Sequence, residues 1–116
     1  MDNIYLKIIA IALIFLGEAI AITAELFSAK IYNNSVKVLV VGFAVVFLGS
    51  ALLVAGYVFG FKSFKNIWIV SVLSLVSILL VEPLLDYVIF KQLPTRGAFV
   101  GLILGVLGFV SAIFIK

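Results

Sequence analysis

The sequence predicts an all-α integral membrane protein, with four transmembrane helices in an up-down-up-down bundle. Three observations carry this. First, 66% of the 116 residues are hydrophobic and only 11% are charged, against about 45–50% and about 25% in an average soluble domain. A globule this small buries too little of its surface to hide so much apolar side chain. Second, the apolar residues fall into four runs, each near the length of about 20 residues that crosses the hydrocarbon core. Third, the loops between the runs are short, which makes neighbouring helices run in opposite directions. Residues 1–116 therefore read as one four-helix transmembrane domain with almost nothing outside the membrane.

The first span is Ile4 to about Ala24, interrupted by Lys7 and Glu18. Lys7 lies near the start, where a lysine snorkels to the interface; Glu18 has no such escape. The run is longer than the apolar core of a signal peptide, lacks a strongly basic start and contains Glu18, so it reads as a mature helix. A polar turn, Lys30–Ser35, follows, with the pair Asn33-Asn34 suited to a turn.

The second span is Val36 to Phe61, with Lys37 at its edge. Its Gly42, Gly49 and Gly56 recur every seven residues and so share a face with slow drift. Small residues on one face let two helices approach closely. A basic loop, Phe61–Asn66, closes it. The third span is Ile67 to Phe90 and opens on Trp68, a residue that favours the membrane interface. Its second half carries Glu82, Pro83 and Asp86. After the loop Lys91–Arg96, the fourth span runs from Gly97 to Ile115, with Lys116 as the final anchor.

The same residues exclude several functions. The chain has no cysteine and no histidine, which excludes disulfides, thiol catalysis, histidine-ligated haem and the usual zinc sites. No Gly-rich phosphate loop or nucleophile elbow is present, so neither an enzyme nor a bound cofactor or metal is expected. The net charge of +3 comes from residues placed singly at the ends of apolar runs. They read as membrane anchors rather than a nucleic-acid surface.

Four spans put Lys7, Lys62, Lys65 and Lys116 on one side of the membrane and Lys30, Lys37, Lys91 and Arg96 on the other. Orientation normally follows an excess of Lys and Arg in the cytoplasmic loops, and here the sides balance. Either the chain inserts both ways and pairs head to tail, or a partner protein fixes one orientation.

Carboxylates inside a membrane are costly and tend to be functional. Glu18 is the sharpest case, with Gly17 and Ala19 leaving room beside it. A group there can exchange a proton for a cation; alternatively it only hydrogen-bonds within the bundle. Glu25 shares its face and reads as a solvated helix end. Glu82 and Asp86, four apart, share a face of the third helix. Pro83 between them frees a backbone carbonyl. They form either a polar site and hinge or an interfacial pair near Lys91. Ser50, Ser71, Ser74 and Ser77 are the other polar groups at depth, and Ser74 and Ser77 have the spacing to bond back to their own helix. Gly101, Gly105 and Gly108 make a close-packing face, within the bundle or across a dimer.

Three stretches resemble a known family. Gly17-Glu18-Ala19-Ile20-Ala21-Ile22-Thr23, continuing to Phe27-Ser28, resembles the first helix of the small multidrug resistance transporters. There a membrane-embedded Glu binds both proton and cationic substrate. Gly101-Leu102-Ile103-Leu104-Gly105-Val106-Leu107-Gly108 is similar to the family's fourth-helix dimerisation pattern, Gly-Leu-x-Leu-x-x-x-Gly. Phe90–Thr95 followed by Gly101 resembles the link between the last two helices of each repeat in the wider drug/metabolite transporter superfamily. The family's loop before the third helix, its Ala-Tyr-Ala-x-x-Trp stretch and its Gly-x-Gly hinge are replaced here by Phe61–Trp68, in which only Trp68 corresponds. The acids of the third helix are also a departure.

The resemblance implies a proton-coupled exporter of a cationic or amphipathic small molecule in the cell membrane. It implies an antiparallel dimer of identical or paralogous chains, with Glu18 as the shared proton and substrate site. Trp68, Ser50, Glu82 and Asp86 are the further candidates for that site, and Gly101, Leu104, Gly105 and Gly108 those for dimerisation. Two other readings stand beside it: a non-transporting subunit of a larger membrane complex, and a flippase component for lipid-linked sugars.

Overall fold

The computed structural model describes residues 4–115, the side chain of Ile113 excepted. These residues form α1 (Ile4–Ile31), α2 (Val36–Phe64), α3 (Ile67–Phe90) and α4 (Arg96–Phe114). The helix starts match the expected spans to within a residue, but two ends do not. α1 continues past Ala24 to Ile31, and α2 past Phe61 to Phe64. Residues 25–31 hold no Gly or Pro and include Glu, Leu, Ala and Lys, all good helix formers. The apolar run ends there, but the backbone hydrogen bonding has no reason to stop. The turn is accordingly shorter than expected, and Asn34 takes the left-handed conformation (φ 65°) that Asn tolerates.

α1, α2 and α3 are each long and apolar enough to cross a membrane. α4, with 19 residues, is about 28 Å long at about 1.5 Å per residue, close to the hydrocarbon thickness of about 30 Å. Lys116, expected to anchor it, lies outside the described residues.

The α1–α2 seam is built on small residues. A methyl group on Gly49 would stand 2.8 Å from the Gly17 carbonyl oxygen and 3.0 Å from the Ala21 amide nitrogen. One on Gly56 would stand 3.2 Å from the Ile14 amide nitrogen. The glycine face anticipated on α2 is thus where its backbone meets that of α1. The facing pairs run in opposite order along the two helices: Ser28 with Gly42, Ala21 with Gly49, Ile14 with Gly56, Ala10 with Gly60. At the far end, the Lys7 ammonium lies 5.4 Å from the centre of the Phe64 ring.

α3 closes over this seam. Val70 packs on Gly60, Ser74 bonds to Glu18, and Lys30 Nζ donates to the Ile89 carbonyl at 2.6 Å. The α1 and α3 partners rise together, so these two helices run in the same direction. The Lys30 bond satisfies a carbonyl in the last turn of α3, where the intrahelical ladder has run out and the helix dipole favours a cation. Lys30→Met is expected to cost about 1 kcal/mol. Hydrogen exchange should show the last turn of α3 opening faster while the middle of the helix is unchanged.

α4 departs from the expected bundle. Among the described residues it touches α3 alone, where Leu79 packs on Gly105, and it contributes no buried residue. The backbone is flattened, with principal extents of 52 × 34 × 17 Å. The arrangement is a three-helix cluster with an outlying fourth.

Candidate functional site

Glu18 lies about halfway along α1: Ile4 is about 21 Å away along a helix of about 42 Å. Its position follows from its neighbours. Gly17 is buried against Gly49 and Leu53 of α2, which turns the next residue toward α3. α3 runs alongside α1 and brings Ser74 opposite. Ser74 Oγ donates to Glu18 Oε1 at 3.2 Å. Ser77, fully buried, donates its own hydroxyl to the Ser74 carbonyl at 2.7 Å. Glu18 is half-buried, so its carboxylate is held from one side and approachable from the other. A carboxylate accepts at about four positions; the bond from Ser74 takes one. The rest can take a proton or a cationic group.

The acids of α3 lie in a different place. Glu82, Pro83, Asp86 and Tyr87 line a cleft of about 630 Å³ between α3 and α4, with Thr95 and Gly101 on its other wall. Glu82 is half-buried and Asp86 exposed. α3 remains helical through Pro83, which has no N–H to give the Leu79 carbonyl. Glu82 lies within electrostatic reach of Asp86, of Glu25 and of Glu18. Among the acids of the described residues, Glu18 is the one with a hydrogen bond across the α1–α3 seam.

The remaining candidates are not drawn to Glu18. Trp68 is 76% exposed and opens α3 about 9 Å along the helix from Ser74. It lines an apolar cleft with Val72, Phe109 and Ala112. Ser50 is exposed, one position past the Gly49 that packs on α1. Of the dimerisation residues, Gly105 meets Leu79 within the same chain, Gly101 and Gly108 have open space beside them, and Leu104 is exposed. No group of three or more His, Cys, Asp or Glu that could hold a metal occurs among the described residues.

The sequence does not pair Glu18 with Ser74; the structure does. The spacing of Ser74 and Ser77 suggested that both bond back to their own helix. Ser77 does; Ser74 does not. The one available signal was that a hydroxyl one turn from another, on an otherwise apolar face, leaves one of the two free to look elsewhere. Comparison of the chain with protein-family models, with curated proteins and with solved structures finds no match.

Proposed function

We propose that this chain is a small proton-coupled exporter of a cationic or amphipathic small molecule, of the small multidrug resistance type. In this reading the four helices cross the cell membrane in up-down-up-down order and two chains pair as an antiparallel dimer. The observation that carries it is Glu18: a half-buried carboxylate midway along an apolar helix, in contact with one hydroxyl donor. An ionisable group at that depth is costly and persists where it handles protons or ions.

A proton and a cation cannot both neutralise one carboxylate. Loading either expels the other, and that competition couples the two fluxes. Rocking of the paired chains would then expose the site to each side in turn. One feature supports the dimer. The Lys and Arg residues balance across the four spans, which removes the usual bias toward one orientation.

The test uses purified chain in proteoliposomes, with tetrabutylammonium as the probe cation and an imposed pH gradient. Cation flux should follow the gradient and collapse when a protonophore dissipates it. Flux equal to that of protein-free liposomes, from folded protein, would count against the reading and favour a subunit that works only with a partner.

A further inference from the structure

The hydroxyls of Ser63, Ser77 and Ser111 all do the same thing. Each donates to the carbonyl three residues earlier in its own helix: Gly60 at 3.3 Å, Ser74 at 2.7 Å and Gly108 at 2.7 Å. Without water, that is the nearest acceptor a helical serine has. Ser74 breaks the pattern. Its hydroxyl leaves α3, crosses to α1 and donates to Glu18 Oε1.

The setting makes this choice informative. Ser74 is 9% exposed, and its neighbours on the same face of α3, Val70 and Ser77, are fully buried. A small apolar residue would fill such a position without needing a partner. A hydroxyl there must be hydrogen-bonded, because burying it alone is unfavourable. Its own helix offers the carbonyls of Val70 and Ser71, yet the bond goes to a carboxylate of the facing helix, that of Glu18 rather than Glu25.

We infer that Ser74 is a positioning residue for Glu18: its hydroxyl holds the carboxylate on the α1–α3 seam through Oε1 and leaves Oε2 as the oxygen that a proton or cation loads. The hold itself stands on the contact; its use in transport rests on the exporter reading above. A donor aimed at a carboxylate favours the charged form. Ser74 therefore sets how strongly a proton competes for Glu18. The other charged groups within reach are Glu25 of α1 and Glu82 of α3, while α2 meets Gly17, next to Glu18, through Gly49 and Leu53. None of these changes when Ser74 is altered.

The experiment is a pH titration of the Glu18 carboxyl in the full chain in lipid nanodiscs. It is followed by difference infrared spectroscopy, with Glu18→Gln assigning the band. Tetrabutylammonium binding is measured on the same samples. Ser74→Ala should displace the titration midpoint by about one pH unit, about a tenfold change in proton affinity. Ser74→Thr, which keeps the hydroxyl, should return it to within about twofold of the parent. Ser77→Ala removes a buried hydroxyl that donates to a backbone carbonyl and should leave the midpoint in place.

A midpoint unmoved in Ser74→Ala, or moved as far in Ser77→Ala, would overturn the inference. If the midpoint moves as expected but no variant binds the cation, Ser74 positions Glu18 and the exporter reading falls. If the cation binds and is lost in Glu18→Gln while Ser74→Ala titrates like the parent, the exporter reading stands and the role of Ser74 falls.

Discussion

Glu18→Gln is expected to reduce proton-driven cation flux to the background of protein-free liposomes while leaving the protein folded. Glutamine has the shape of glutamate, and its side-chain oxygen still accepts a hydrogen bond. The contact with Ser74 Oγ, 3.2 Å in the parent, is therefore retained. What is lost is the ability to carry a charge or a proton. Helicity and unfolding midpoint should match or exceed those of the parent, because a charge in an apolar seam is removed and its hydrogen bond kept. Proteoliposome flux and circular dichroism on one preparation check both halves. Flux near the parent level in folded Glu18→Gln would remove Glu18 from the mechanism.

Gly49→Ala is expected to be among the most disruptive single-methyl changes in the chain. The added carbon would meet the Gly17 carbonyl oxygen at 2.8 Å and the Ala21 amide nitrogen at 3.0 Å, and both are backbone atoms that cannot rotate aside. The helices must separate, at a cost of about 1–3 kcal/mol for overpacking. Because Gly17 is the contact that aims Glu18 at α3, the same change should loosen the Ser74 bond. Gly97→Ala is the control. It has no atom within 4 Å of the new carbon and gains helix propensity worth up to about 1 kcal/mol. Unfolding of the two variants in mixed micelles should shift in opposite directions. Equal, small effects would mean that the α1–α2 seam is looser than the geometry requires.

The legible and illegible parts of this molecule separate along physical lines. Hydropathy marked where each helix begins because polar loops and cap residues such as Asn66 and Thr95 coincide with the start of each apolar run. Both accept a hydrogen bond from the first turn. Hydropathy failed at the end of α1, where residues beyond Ala24 turn polar but keep a helical backbone. The glycine face of α2 was readable from its seven-residue spacing. Its partner was not, since spacing on one helix says nothing about which neighbour fills the groove.

Glu18 stood out because a carboxylate in an apolar run is rare. Ser74, 56 residues away, became visible only once α3 was laid alongside α1. The isolation of α4 was unreadable for a related reason. Its pattern is as apolar as that of the packed helices, and in lipid an apolar face need not find a protein partner.

In the exporter reading one carboxylate serves both proton and cation. The most direct measurement is proton release on cation binding. Tetrabutylammonium is titrated into weakly buffered protein in detergent, with a pH indicator reading the solution. Protons should be released as the cation binds, with release and binding both absent in Glu18→Gln. Cation binding with no proton release, or the same release from Glu18→Gln, would contradict it.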